Sequence, residues 1–302
     1  MEETMKSCKH FSILALVFLF ALLSCQRQAG LNALLIEEGK VLSADGIPIH
    51  YKLYGKGDVS LVFVHDWCTN MTYWEKQIPS FGVNYKVATL DLAGHGKSGQ
   101  DRTAWTMEAF AADVAAVVDK LDLKQVVLIG HGMGGPVILE AARLIPSRSI
   151  GLVGADSFTD LYMDALNEAQ IELSLQPWRE DYQLQMREFV RLSYFSPKSD
   201  HDVMKEIIFD MVKTPPEVAL GALVELMRYD GADSLNEVQL SVKCIQTDHI
   251  SSSFEITEAN AKSVWVDYVE RLGHFIMLED SLAFNRFLAG YISEFVMESY
   301  QR

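Results

Sequence analysis

Val126-Val127-Leu128-Ile129-Gly130-His131-Gly132-Met133-Gly134-Gly135 is an apolar run that ends in a glycine-rich turn. Val126 to Ile129 are all apolar, as a strand covered on both faces of a parallel sheet requires. From about Pro136 to Leu144 the apolar spacing becomes helical. A sharp strand-to-helix turn with this glycine spacing is the frame Gly-x-Ser-x-Gly, which lifts a serine clear of the sheet. Here the serine position holds Gly132. The frame for a nucleophile is present and the nucleophile is missing.

The segments on either side extend the same pattern. Lys40 to Leu42 and Ile47 to Tyr54 read as strands joined by the turn Ala44-Asp45-Gly46. Leu61 to Val64 is a buried strand ending at His65-Asp66-Trp67, and Lys86 to Leu90 is another, ending at Asp91. Tyr73 to Ile78 predicts a helix limited by Pro79. Thr106 caps a helix with Met107, Phe110, Val114, Val117, Val118 and Leu121 on one face. Ile150 to Val153 is the next strand. Strands alternating with helices predict an α/β fold with a mainly parallel, doubly wound sheet.

Between residues 157 and 235 the strands stop. Phe158 to Leu175, Glu180 to Leu192, Asp202 to Val212 and Pro216 to Arg228 read as helices, punctuated by Pro177, Pro197, Pro215 and Pro216. This is an inserted helical cap. Val242 to Gln246 resumes the strands, followed by a helix over Phe254 to Ala261 and a strand over Ser263 to Val269. A final helix runs from Asp280 to Met297. The expected organisation is a signal segment over 1–24, a tether over 25–37, a core of 38–156 and 236–302, and a cap of 157–235.

The chain has 302 residues, enough for a sizeable core, and a net charge of −15, which repels phosphate backbones and argues against nucleic-acid binding. Lys6, Lys9 and His10 precede an apolar run from Phe11 to Leu23, the pattern of a signal peptide and too short to span a bilayer comfortably. The run ends in Leu22-Leu23-Ser24-Cys25, which resembles the bacterial lipobox. That resemblance implies a lipid on Cys25 and a membrane-anchored lipoprotein of the cell envelope. Cys68 and Cys244 then remain for the folded part, far apart and in no metal-binding spacing. No metal or cofactor is implied, and oligomeric state is not legible.

Taken together, Val64-His65, Asp91-Leu92-x-Gly94-His95-Gly96-x-Ser98, the turn at Gly130 to Gly135 and Gly273-His274-Phe275 stand in the order and spacing of the α/β-hydrolase family. The resemblance covers about residues 38 to 298. In that family a serine attacks a carbonyl carbon, a histidine takes its proton, an acid orients the histidine, and two backbone N–H groups hold the oxyanion. The resemblance puts His274 at the histidine position and offers Asp248, with Asp156 as the alternative, for the acid. Backbone N–H groups of Trp67 and Met133 would serve the oxyanion.

Two departures stand out. Gly132 supplies no nucleophile, and Asp66 replaces the glycine that usually follows His65. If the Asp66 carboxylate points inward it opposes a developing oxyanion. The resemblance therefore implies a hydrolase of small ester, amide or lactone substrates whose ordinary activity is weak or lost. The alternative is a non-catalytic, ligand-binding pseudo-hydrolase. A water activated by His274 and one of the two acids is a third route. Trp178, Phe189, Tyr194, Phe195 and Phe209 of the cap could line a pocket, but most read as cap core.

Overall fold

The computed structural model describes residues 28–158, 166–248 and 264–301. The signal segment, Cys25 and the helix expected over Phe254 to Ala261 lie outside these residues, as does part of the helix expected from Phe158. Among the described residues no helix is long and apolar enough to cross a membrane.

Among the described residues eight strands form one sheet: β1 (Leu35–Leu42), β2 (Pro48–Gly55), β3 (Val59–Val64), β4 (Lys86–Leu90), β5 (Gln125–His131), β6 (Ser149–Ala155), β7 (Val242–Thr247) and β8 (Val264–Val269). Their spatial order is β1-β2-β4-β3-β5-β6-β7-β8. β2 runs antiparallel to both β1 and β4, and every other pairing is parallel. Every residue of β3 and β6 is buried, so continuous apolar sequence reflects helices on both faces. The β1–β2 hairpin turns through Gly46 at φ +87°, a conformation that costs glycine nothing.

Helices α3 (Met107–Lys120) and α4 (Gly134–Leu144) pack beside each other on the sheet, and α11 (Ser281–Ser299) lies against β6 and β7. The Thr106 side chain accepts from the Ala109 N–H, as its capping position predicts. The cap comprises α5 (Glu168–Glu180), α6 (Tyr182–Ser193), α7 (His201–Met211), α8 (Pro216–Arg228) and a short α9 (Ala232–Glu237) that the sequence pattern did not suggest. Pro177 lies in the last turn of α5, and the chain then breaks at Asp181, which caps α6.

Two local expectations change. Residues 28–34 of the expected tether form a helix, α1, whose Leu31 is buried in the core. The helix expected over Tyr73 to Ile78 is instead a 3₁₀ turn, Met71–Trp74, followed by a separate α2 (Ile78–Phe81). Pro79 causes the split, because its fixed φ and missing N–H suit the first turn of a new helix. A further short helix, α10 (Ile276–Glu279), follows His274.

Candidate active site

Strand register assembles the site. Val64 at the end of β3 pairs with Gly130 of β5, and His131 of β5 pairs with Ala155 of β6. The residues just beyond these ends, Asp66, Gly132 and Asp156, therefore emerge side by side at the carboxyl edge of the sheet, where open α/β sheets bind ligands. The turn needs its glycines: a β-carbon on Gly130 would lie 2.2 Å from the Gly134 carbonyl oxygen, and Gly132 sits at φ +50°. Asp156 is also left-handed, at φ +42°, which aspartate tolerates better than most residues.

The Asp66 carboxylate fills the space over Gly132. A β-carbon built on Gly132 would lie 2.1 Å from Asp66 Oδ1. That same oxygen accepts the Met133 N–H at 2.7 Å, while Oδ2 lies 3.0 Å from His274 Nε2. On the other side of the ring, His274 Nδ1 lies 2.6 Å from Asp156 Oδ2. The histidine is thus held between two carboxylates in an Asp66–His274–Asp156 chain. Its backbone N–H donates to the Tyr194 carbonyl at 2.7 Å, and its ring stacks on Tyr194 at 4.3 Å between centroids. Asp66 is 2% exposed and His274 6% exposed, whereas Gly132 is only half-buried.

The charges follow from this packing. Burial disfavours a charged His274, but the hydrogen bonds and negative charges of Asp156 and Asp66 outweigh it and raise its pKa to about 10. Burial likewise opposes ionised Asp66, yet the hydrogen bond and charge of His274 hold it below the ordinary carboxylate value. At neutral pH the ring is therefore held as an imidazolium between Asp66 and Asp156. His131 differs: burial and the neighbouring His274 charge push it down to about 3, so it is neutral. Its Nε2–H donates to the His274 carbonyl at 3.0 Å, and its buried Nδ1 has no partner among the described residues. Asp66, His131 and His274 each offer a ligand atom within 4.8 Å of one another, so these three could hold a metal ion.

Comparison with known proteins agrees with this architecture. A family profile described as the alpha/beta hydrolase fold matches residues 59–201. The solved structure of a bromoperoxidase from Bacillus anthracis superposes with a TM-score of 0.75 at 20% identity, covering 85% of this chain and 100% of that one. A thermophilic esterase from Thermogutta terrifontis superposes with a TM-score of 0.74 at 23% identity, covering 86% and 99%. The chain has the α/β-hydrolase fold. In sequence it is 40% identical over 113 residues to a non-heme chloroperoxidase of Streptomyces lividans, 36% of this chain and 41% of that protein. It is 38% identical over 115 residues to a non-heme haloperoxidase of Rhodococcus erythropolis, 37% of this chain and 40% of that protein. The match thus spans about two fifths of these relatives' length.

As an α/β-hydrolase-fold protein, the chain brings some of the sequence-predicted residues together and separates others. His274, Asp156, Gly132 and Met133 converge. Asp248 stands apart: its Oδ1 accepts the Arg271 N–H at 2.6 Å, closing the loop after β8. Asp156 reaches the histidine because β6 adjoins β5, whereas Asp248 lies one strand further out, after β7. Asp156 is fixed by a second bond, from the Thr247 N–H to its Oδ1 at 3.1 Å.

The N–H of Met133 is already engaged by Asp66, so the inward-pointing carboxylate takes up an expected oxyanion donor. In the loop after β3 the left-handed residue is Cys68, at φ +57°, one place beyond Trp67. The Trp67 side chain points into the cap: its indole N–H donates to the Ala219 carbonyl at 2.8 Å, and its ring packs edge-on against Trp178 and Phe189. Burial pushes the Cys68 thiol well above its usual pKa, which rules against a thiolate there. Ser98 is structural, donating to the Asp91 carbonyl at 2.6 Å.

Trp178 and Phe195 are buried cap core, while Phe209 is exposed. What sequence reading missed was Asp66 as a member of the cluster. The available signal was the pairing of two departures, a glycine lost at position 66 and a serine lost at position 132.

Proposed function

We propose that this protein is a small-molecule hydrolase of the cell envelope in which the serine acyl-enzyme route is closed. In it the Asp66–His274–Asp156 chain takes the place of a Ser-His-Asp triad. The observation that carries this reading is the Asp66 carboxylate in the space a serine side chain at position 132 would need, bonded to both the histidine and the Met133 N–H. Ordinary carboxylic-ester turnover is therefore weak or absent. Removing a member of a serine triad leaves only about 10³–10⁴-fold over water, from binding and the oxyanion hole, and here Asp66 takes up an oxyanion donor.

Anchoring through a lipid on Cys25 belongs to the same proposal and rests on the run Phe11 to Leu23 that precedes it. A Cys25→Ala protein should leave the membrane fraction. Retention there would count against the lipid.

The test of the chemistry is a panel of activated esters on the wild type, Gly132→Ser, and Gly132→Ser with Asp66→Gly. Silence in the first two and turnover in the third is expected. Wild-type turnover at the level of an ordinary esterase, abolished by His274→Ala, would overturn the reading. A second reading, a binding protein without turnover, is favoured by the near-complete burial of Asp66 and the saturation of both its oxygens. Binding of small esters without turnover by any of the three proteins would support it.

A further inference from the structure

We infer that the amino edge of the sheet is the face this protein lays on a lipid bilayer, so that the site around Gly132 faces away from the membrane and draws on water-soluble substrates. This rests on the reading that Cys25 carries a lipid. Gln26 and Arg27 alone separate Cys25 from Gln28, the first described residue of α1. Three residue steps of extended chain reach about 11 Å. α1 is docked on the body by the buried Leu31. Its last residue, Leu34, lies beside Gly82, where a β-carbon would meet Leu34 Cδ1 at 3.3 Å. The next residue, Leu35, pairs with Tyr54 near the end of β2, and Gly55 pairs with Lys86, where β4 begins. α1 therefore joins the body at the edge where the parallel strands start.

The site lies at the other edge. Asp66, Gly132 and Asp156 follow the ends of β3, β5 and β6, and the cap stands beyond them, bonded to the Asp66 loop through Trp67 and Ala219 of α8. β5 has seven residues, which separates the two edges by about 20 Å. The seven residues of α1 span about 10 Å along their axis. Even with α1 upright against the sheet, the lipid attachment point rises no higher than the carboxyl edge. The tether is too short to bring the cap down on the bilayer that holds the lipid.

The amino edge has a surface suited to that contact. Ile36, Val83 and Tyr300 are each more than half exposed. Ile36 sits in the bulge between Leu35 and Glu37, and Val83 follows α2 beside Gly82. Tyr300 follows α11, whose Glu298 accepts from the Ser241 hydroxyl at 2.9 Å, one residue before β7 begins. The three side chains thus mark both ends of one edge. Apolar groups, an exposed tyrosine and lysines together are what a membrane–water interface takes up. The local charge permits the approach. Lys86, Lys124 and Arg148 stand where β4, β5 and β6 begin, and the Lys124 hydrogen bond with these three charges holds the Asp122 carboxyl below its ordinary pKa. Lys124 pairs with Asp122 and Arg148 with Asp119, so these acids are neutralised in a chain whose net charge is −15.

The test uses the full chain, processed in a bacterial host and placed in vesicles of phosphatidylcholine and phosphatidylglycerol. An environment-sensitive fluorophore is attached in turn to Val83→Cys, Tyr300→Cys and Phe209→Cys, the last on the exposed outside of the cap. Cys68 and Cys244 are buried and stay unlabelled. The fluorophores at 83 and 300 should shift to the blue and lose most of their emission to a spin label carried on the lipid. The fluorophore at 209 should keep its emission there and lose it to iodide in the water. Quenching at 209 by the lipid-borne label, or its absence at 83 and 300, in a vesicle-bound protein would overturn the inference and leave the lipid in place. A full chain that partitions no better than Cys25→Ala would remove the lipid reading itself, and the inference with it.

Discussion

The side chain of Asp66 and the missing side chain of Gly132 compete for one volume, since a β-carbon on Gly132 would lie 2.1 Å from Asp66 Oδ1 and 2.4 Å from its Cγ. Glycine relieves both that collision and the strain of φ +50°. Restoring serine alone should therefore destabilise the fold by about 1–3 kcal/mol, the usual cost of a strained backbone position. Asp66→Gly alone breaks a buried, hydrogen-bonded charge pair and should cost about 3–5 kcal/mol. Together the two changes should cost clearly less than their sum, because the serine enters a vacated space and meets His274. Urea unfolding of the four proteins gives the coupling, and strict additivity would contradict the shared-volume account.

Stability should also depend on pH in a defined direction. His274 is raised from 6.5 to about 10 in the folded protein, so the fold binds its proton more tightly than the unfolded chain does. That contribution is complete below the ordinary histidine value and is lost as pH rises toward about 10. Asp66 is lowered from 3.8, so its contribution is present above that value and is lost as pH falls through the folded one. The melting temperature should be highest between the two windows and fall on the alkaline side. In Asp66→Asn the alkaline fall should shrink, because one of the two carboxylates holding the proton is gone.

The identity of the orienting acid can be read from a pair of conservative changes. Asp156→Asn removes the carboxylate 2.6 Å from His274 Nδ1 and lets the ring adopt the wrong tautomer. In the Gly132→Ser, Asp66→Gly protein, ester turnover should then fall by up to about 10⁴-fold, as for a triad whose aspartate becomes asparagine. Asp248→Asn, whose carboxylate serves only the Arg271 N–H among the described contacts, should leave that rate within about twofold. The reverse ranking would move the acid to Asp248.

Sequence alone carried most of the fold, because buried parallel strands and amphipathic helices announce themselves by period. The β5 run, the α3 face and the α11 stripe all needed only local spacing. The site was half legible. His274 and the elbow follow from order along the chain, but the choice between Asp156 and Asp248 depends on which strand adjoins β5, and β7 is one place too far. Asp66 was visible as a departure yet not as a participant. Its role depends on the Val64–Gly130 register, which brings two loops 66 residues apart in sequence to the same edge. The docking of Leu31 likewise reflects tertiary packing over local preference, whereas the split of the Met71–Phe81 region follows from Pro79 itself.

The cap is tied to the site through Trp67, whose indole N–H reaches the Ala219 carbonyl in α8 at 2.8 Å. Ala219 lies inside that helix, so the indole adds a bond to a carbonyl the helix already uses. Trp67→Phe keeps one ring against Trp178 and Phe189 and deletes the N–H together with part of the buried indole. The global cost should be about 1–3 kcal/mol, from one net hydrogen bond and the cavity left by the smaller ring. The local effect should be larger, because the bond joins the loop that carries Asp66 to a helix of the cap. Amide exchange should quicken in α8 and in the Asp66 loop while the amides of β5 and β6 stay protected. Uniform acceleration across the sheet would show instead that Trp67 supports the whole core and does not act as a tether between cap and site.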